Sequence, residues 1–172
     1  MHRHPWKRLL AWLVDWLLVL AWAGLTAAVG IPLFLSGVTA GLHAVALNVI
    51  AVVVLVLPVT VVLAAFESGG RQATPGKRTQ RLVVTDAATG GSLRFLTALG
   101  RNALKIAVPW TLGHAAVFAI VSAGGAEPVP VWIWVITAAA YVLPIVYVVT
   151  LFVAAGRTPY DRITGARVVL TT

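Results

Sequence analysis

The stretch Arg8–Asp15 reads RLLAWLVD and opens the first of several long apolar segments. It places a carboxylate, Asp15, roughly 10 Å along a helix from Arg8, because each helical residue adds about 1.5 Å. A charged residue at the centre of a bilayer costs about 2.5–3.5 kcal/mol on insertion scales, so it normally faces protein or a water-filled cavity. The stretch therefore predicts a membrane helix whose Asp15 turns towards other helices and finds a polar partner there.

Composition places the whole chain among integral membrane proteins. Of its 172 residues, 60% are hydrophobic and 10% charged, and the mean hydropathy is +0.94. A soluble domain has about 45–50% apolar and about 25% charged residues. Several apolar segments reach the roughly 20 residues that cross a bilayer. We predict a single all-α domain over residues 1–172, with transmembrane helices at about 9–35, 43–66, 103–123 and 131–155.

The basic residues all lie on one side of this predicted membrane domain. The thirteen Lys and Arg fall within 3–8, 71–105 and 157–167, whereas the loops 36–42 and 124–130 carry only the acidic Glu127. Because loops rich in Lys and Arg stay in the cytoplasm, both termini and the loop 67–102 are predicted to be cytoplasmic in a multi-pass inner-membrane protein. The net charge of +8 then indicates anionic lipids at the cytoplasmic face, and no nucleic acid.

The central loop contains a strand-like segment at 81–85, RLVVT, and the segment 166–171 after the fourth span, ARVVLT, has the same pattern. Both are typical of short strands, and we predict that they pair in a small cytoplasmic sheet. Residues 93–104 form an amphipathic stretch with Ser92 as its predicted cap. This stretch predicts a short interfacial helix at the lipid headgroups.

An ordered string of residues occurs in both halves of the chain. VLP stands at 56–58 and 142–144, GR at 70–71 and 156–157, and TP at 74–75 and 158–159. Both copies enter from the same side, which predicts two parallel-repeat hairpins related by an axis along the membrane normal. Chance agreement within simple apolar sequence is the alternative. In this alignment Asp15 lies over Arg101, and the two are predicted to pair across the axis.

Asp15 is the first candidate site residue, and two interpretations stay open. Helical side chains lean towards the N-terminus of their helix, so Arg8 leans away from Asp15. Arg101, Lys105 and Arg94 on the third helix are the better candidates for its partner. A carboxylate removed from water can exchange a proton or bind a cation. The alternative is a structural salt bridge that fixes helix packing.

The remaining candidates carry less chemistry. His114, within the third span, is either a proton relay or a neutral imidazole hydrogen-bonded to a neighbouring helix. The segment 70–78, GRQATPGKR, lacks the phosphate-loop pattern, because Arg71 and Arg78 stand where Gly and Ser or Thr are required. The chain has no Cys and hence no thiolate site. We predict no enzyme activity, no cofactor and no bound metal.

These motifs together resemble the RDD family of small bacterial membrane proteins, named for an Arg and two Asp. The residues concerned are R-x-x-A-x-x-x-D at 8–15, ATPGKR at 73–78, RLVV at 81–84, GGSLR at 90–94, RN at 101–102 and DRITGARVV at 161–169. The resemblance implies that Arg8 and Asp15 are the named Arg and the first Asp. The second is Asp161, with Asp86 the weaker choice. Gln80 departs from the Gly, and Ala166 from the Thr, that the family often has.

The resemblance implies transport of an unidentified ligand, since some members look like cation/proton antiporters and others like regulatory partners of membrane enzymes. We therefore expect exchange of Na⁺ or K⁺ for H⁺ at Asp15, with Arg8 and Arg101 setting its charge state. Asp161 would fasten the cytoplasmic ends, or else form a plain surface ion pair with Arg162. A homodimer is expected, because four helices make a small transporter. The alternative is an accessory or regulatory subunit of a larger membrane complex.

Overall fold

The computed structural model describes residues 4–124, 128–153 and 156–171. In this part of the chain, four helices are long and apolar enough to cross a membrane, which confirms the predicted four-span fold. The spans are Pro5–Leu35, Val45–Ser68, Phe95–Ala123 and Val131–Phe152. Two features of the sequence analysis, Glu127 and the predicted end of the fourth span at 154–155, lie outside the described residues.

The first and fourth spans are uninterrupted helices, which we label α1 (Pro5–Leu35) and α7 (Val131–Phe152). α1 begins earlier than predicted, because Pro5 suits the first turn of a helix, where its missing N–H has no partner to lose. Pro32 lies within α1, and the helix continues past it to Leu35.

The second and third spans each change to a π-helical turn just before a proline. The second comprises α2 (Ala44–Ala51), a π turn (Val52–Val56) and α3 (Leu57–Ser68). The third comprises α5 (Phe95–Asn102), a π turn (Ala103–Ala107) and α6 (Val108–Ala123). Pro58 and Pro109 lack the N–H that would continue the ladder, so backbone carbonyls are released one turn earlier.

Side chains from other helices occupy these released carbonyls. Trp22 Nε1 donates to the Val54 carbonyl at 3.1 Å, and the Tyr147 hydroxyl donates to the Leu104 carbonyl at 2.8 Å. A released carbonyl can serve as an ion ligand in a broken helix. Here both carbonyls instead tie one span to another.

The predicted amphipathic stretch is α5, and it runs without a break into the third span. It begins at Phe95 after Arg94, and no side chain caps it, so the prediction of a Ser92 cap is wrong. Ser92 instead forms an isolated β-bridge with Thr85. The buried face of α5 comprises Ala98, Arg101 and Asn102, so this face packs on protein.

The predicted pairing of the two strand-like segments is confirmed. β1 (Leu82–Asp86) and β2 (Ala166–Leu170) form an antiparallel sheet, in which Leu82 pairs with Leu170 and Asp86 with Ala166. Apolar side chains of the sheet pack against α3 and α5 in a small core. That core contains Ala64, Val84, Leu93, Ala98 and Ala166.

The order of elements is the same in both halves of the chain. In each half, two spans are followed by a five-residue helix that starts with a Thr-Pro pair, and then by a strand. The short helices are α4 (Pro75–Thr79) and α8 (Pro159–Ile163), and their N-caps are Thr74 and Thr158. A duplication of one hairpin unit remains a prediction that this order supports.

Most large apolar side chains of the spans point outwards. Leu17 is 65% exposed on α1, and Val117 is 59% exposed on α6. The inner contacts are fewer. Val19 of α1 packs with Val59 and Leu63 of α3, and Trp110 of α6 packs against them, so the cluster joins three spans. An apolar exterior around a small interior suits a bundle whose solvent is lipid.

Candidate functional site

Charged side chains are buried at the end of the bundle where α3 ends and α5 begins. We call the set Arg8, Glu67, Lys77, Arg101 and Asp161 the ion network. Arg101 lies at its centre and is 1% exposed. Its Nη1 donates to both Glu67 oxygens at 2.7 and 2.6 Å, and its Nε donates to Asp161 Oδ1 at 2.8 Å. One guanidinium thus joins the end of the second span to α8.

Two further cations complete the ion network. Arg8 Nη2 donates to Asp161 Oδ2 at 2.6 Å, and its Nη1 donates to the Gly156 carbonyl. Lys77 Nζ donates to Glu67 Oε1 at 2.7 Å. Each carboxylate therefore touches two cations, and Arg101 is the cation that they share.

The local fold explains why these residues meet. Glu67 occupies the last turn of α3, and Arg101 lies in the last turn of α5 beside it. Lys77 and Asp161 stand at the third position of α4 and α8, three residues after the N-cap residues Thr74 and Thr158. The two Thr-Pro turns thus bring one cation and one carboxylate to the same centre.

The structure contradicts one alternative interpretation of Asp161. Its side chain is buried and holds Arg8 and Arg101, so it is not a surface ion pair with Arg162. Burial by itself would raise the pKa of Asp161, but the positive charges of Arg101 and Arg8 outweigh it and hold the pKa below its usual range. Asp161 thus remains ionised and fastens the N-terminus of α1 to α5.

The lowered pKa of Asp161 predicts a loss of stability in acid. A carboxyl group with a lower pKa in the folded than in the unfolded protein stabilises the fold above its ordinary pKa of about 3.9. That contribution is lost as the pH falls through the folded value. We expect the thermal unfolding temperature to fall below about pH 4, and to fall less in Asp161→Asn. An equally steep fall in that variant would contradict the assignment.

Asp15 lies outside the ion network. Its Oδ2 accepts a hydrogen bond from the Thr74 hydroxyl at 2.6 Å, and its Oδ1 accepts one from the Gly76 N–H at 2.8 Å. It is 3% exposed and makes no ion pair with any residue that the structure describes. The predicted pairing of Asp15 with Arg101 is therefore wrong, because Glu67 and Asp161 already surround Arg101. Arg8 does not pair with Asp15 either, since its guanidinium donates to Asp161 and to the Gly156 carbonyl.

Small residues allow α4 to lie directly on α1. A Cβ added to Gly76 would be 2.8 Å from Asp15 Oδ1 and would overlap the Ala11 carbonyl oxygen. Ala11 is itself 2% exposed and faces this contact. The pair Ala11 and Gly76 thus sets the distance at which Asp15 can receive the Gly76 N–H.

Gly76→Ala is expected to push α4 off α1. Overpacking of this kind costs about 1–3 kcal/mol, and the displaced helix also lengthens both hydrogen bonds to Asp15. Thermal unfolding in detergent should show a clear decrease in the midpoint. The matched control is Gly100→Ala, since nothing lies within 4 Å of a Cβ there. A loss in Gly100→Ala as large as that in Gly76→Ala would contradict the packing argument.

Asp15 also lines a cavity of about 570 Å³ between α1, the third span and α7. Cavities of about 300–1,000 Å³ are typical of small-molecule sites. Its charged lining lies at the end that carries the ion network, and its apolar lining extends into the bundle. The charged residues are Arg8, Asp15, Lys77, Arg101 and Lys105, and the aromatic ones are Trp12, Trp16, Trp110, Tyr147 and Tyr160.

His114 has neither of its predicted environments. Its ring stacks between Trp110 and Phe118 on the same helix, with ring centroids at 6.3 and 6.5 Å. No hydrogen bond to another helix is present among the described residues, and His114 does not line the cavity. A part in a proton path with Asp15 therefore lacks structural support.

Sequence reasoning missed three members of the site: Glu67, Lys77 and Thr74. Glu67 stands at the start of the predicted loop 67–102, next to 71–105, which contains seven basic residues, so an ion pair could have been predicted for this lone carboxylate. Thr74 and Lys77 belong to the ATPGKR motif, whose Thr-Pro pair indicates a capped helix start. The motif could have been recognised as a structural element that presents side chains to α1.

Comparison with known proteins gives a family for this chain. The sequence model of the RDD family matches residues 3–128. This range is most of the chain and includes Arg8, Asp15, Glu67, Thr74 and Arg101. The chain belongs to the RDD family. The match does not reach Asp161, so its assignment as the second Asp of this RDD protein rests on the DRITGARVV motif. No curated protein and no solved structure matches the chain.

The side chains of the site also limit the ligands that it can take. Among the described residues, no group of three or more His, Asp or Glu is arranged to hold a metal ion. The cavity presents Asp15 with its neutral hydrogen-bond donors, an apolar lining, and four cations, which are Arg8, Lys77, Arg101 and Lys105.

Proposed function

We propose that this RDD protein is a proton-coupled membrane transporter in which Asp15 binds the exchanged proton and a monovalent cation moves in the opposite direction. One observation carries the proposal. Of the three buried carboxylates that the structure describes, only Asp15 is without an ion pair, and Asp15 lines the cavity.

The charges of the site determine which carboxylate can change its protonation state. Protonating Glu67 would leave Lys77 without a counterion, and protonating Asp161 would leave Arg8 without one. In either case Arg101 would keep only one of its two carboxylate partners, which is costly for buried cations. The partners of Asp15 are a hydroxyl and a backbone N–H, which tolerate either charge state because neither is itself an ion. Asp15 can therefore gain or lose a proton without disrupting the ion network.

Thr74 gives a route from Asp15 to the ion network. Its Oγ1 donates to Asp15 Oδ2 and lies 3.3 Å from Lys77 Nζ, which in turn holds Glu67. A proton on Asp15 turns one carboxylate oxygen into a donor, so the Thr74 hydroxyl has to reorient. A cation bound in place of the proton restores the carboxylate as an acceptor, and oxygen ligands suit such hard ions. The docking of α4 would thus differ between the two loaded states.

The experiment is ion exchange in proteoliposomes. Purified protein is reconstituted with an entrapped pH-sensitive dye, the interior is made acidic, and Na⁺ or K⁺ is added outside. The proposal expects internal alkalinisation that depends on the protein and on the cation. Traces that match protein-free liposomes for both cations would end the transport proposal.

We also propose that both termini and residues 67–102 face the cytoplasm, with the protein in the cell membrane. The clustering of the basic residues at one end supports this orientation. The chain lacks Cys, so single cysteines can report it. Val38→Cys should react with a membrane-impermeant thiol reagent on intact cells, and Ala88→Cys only after permeabilisation. The opposite pattern would invert the assignment.

A further inference from the structure

Lys105 is a cation of the cavity that the ion network does not use. It lies in the π turn that joins α5 to α6, close to the start of the hydrophobic part of the third span. Within the described part of the chain it makes no hydrogen bond and no ion pair, although it lines the cavity beside Asp15. A lysine at such a place normally has a counterion.

The charge balance identifies the sign of the missing partner. Arg8, Lys77 and Arg101 are balanced by Glu67, Asp161 and Asp15, all of which lie at the same end of the bundle. Lys105 adds one positive charge that no described carboxylate contacts. Four of the five charged residues that line the cavity are cations. The cavity therefore favours an anionic group near Lys105.

The rest of the cavity lining is mainly apolar, and the cavity has an opening on the side of the helix bundle. Beyond Lys105 the cavity wall is formed by the prolines Pro109 and Pro144 and by Trp110, Ile145 and Val149. Ile145 and Val149 line the cavity and are also 59% and 51% exposed on α7. The cavity thus opens between helices towards the lipid phase, where a hydrocarbon chain can enter without crossing water.

We propose that this cavity binds an anionic amphiphile, with its carboxylate or phosphate headgroup at Lys105 and its hydrocarbon chain along Trp110, Ile145 and Val149. The proposal follows from the unpaired Lys105, the cationic end of the cavity and its apolar lateral opening. It does not depend on the proposed proton exchange, because occupation of the cavity is a matter of binding alone.

Native mass spectrometry of the whole protein in detergent tests the proposal. The protein is titrated with phosphatidylglycerol, with dodecanoate, with phosphatidylcholine and with inorganic phosphate, and the bound molecules are counted. We expect phosphatidylglycerol, dodecanoate or both to bind in preference to phosphatidylcholine and inorganic phosphate. The two anionic probes separate a membrane lipid from a free fatty acid as the source of the headgroup. Equal binding of phosphatidylcholine, or binding of inorganic phosphate at similar concentrations, would overturn the proposal.

Variants assign the binding to this cavity. Lys105→Gln should weaken binding of the anionic probe by about fivefold, the contribution of a single lysine near a membrane surface. Arg94→Gln is the matched control, since it removes an exposed cation at the same end of the bundle. Ile145→Trp should fill the lateral opening and weaken binding with the charge unchanged. Wild-type binding in Lys105→Gln, or an equal loss in Arg94→Gln, would contradict the site.

Discussion

Glu67→Gln should destabilise the fold by about 3–5 kcal/mol, the usual cost of removing one member of a buried ion pair. Glu67 is 0% exposed and receives Arg101 through both carboxylate oxygens, as well as Lys77 and Asn102. The glutamine keeps the shape and one acceptor oxygen but loses the charge. Lys77 is then left without its ion-pair partner, and Arg101 keeps only Asp161.

Chemical denaturation in detergent measures this loss. Asp86→Asn is the matched control, because Asp86 is a carboxylate of the same loop that makes no ion pair with a described residue and whose Oδ1 accepts the backbone N–H groups of Ala88 and Thr89. An asparagine retains that acceptor, so the control should unfold like the wild type. A loss below about 1 kcal/mol for Glu67→Gln, the range of surface pairs, would show that water reaches the ion network.

Asp15→Asn should abolish proton-linked cation exchange and leave the protein folded. The asparagine carbonyl can still accept the Gly76 N–H, and Thr74 can turn its hydroxyl to accept from the amide, so α4 stays on α1. The amide has no proton to exchange near neutral pH. The exchange rate is therefore expected to fall to that of protein-free liposomes, while the unfolding midpoint changes by only a small amount.

The exchange rates of the wild type and of Asp15→Asn distinguish a transporter from an accessory subunit, the two functions that the sequence left open. If Asp15→Asn keeps the wild-type rate, the carboxylate is a structural hydrogen-bond acceptor and the proposal for Asp15 is wrong. Absence of exchange in the wild type, together with a membrane protein that co-purifies in stoichiometric amount, would favour an accessory subunit. Asp86→Asn serves again as the control and should exchange at the wild-type rate.

Much of the architecture followed from local sequence. Hydropathy placed all four spans because a bilayer demands a minimum apolar length, and the two valine-rich segments identified the sheet by their pattern. The predicted starts of α1 and of the third span were less accurate, because both helices begin earlier in the structure than hydropathy indicated. Charged and amphipathic residues such as Arg8 and Arg101 continue a helix as readily as apolar ones when they have buried partners.

Pairing within the site could not be predicted in the same way. Geometry within one helix correctly excluded Arg8 as the partner of Asp15. The true partners, Thr74 and Gly76, lie at the start of α4, whose position depends on packing against Ala11. The repeat alignment placed Asp15 opposite Arg101, but each of them contacts the short helix of its own half, α4 or α8. Alignment of repeats identifies equivalent positions and does not establish contact between them.

The central claim is that Asp15, and neither Glu67 nor Asp161, takes up the proton. Infrared difference spectra recorded on acidification of the reconstituted protein test this claim directly, because a protonated carboxyl group has its own C=O stretching band. On acidification that stays above the range in which exposed carboxyl groups are protonated, we predict one such band in the wild type and in Asp86→Asn, and its absence in Asp15→Asn. The same band in Asp15→Asn would place the proton elsewhere and contradict the account.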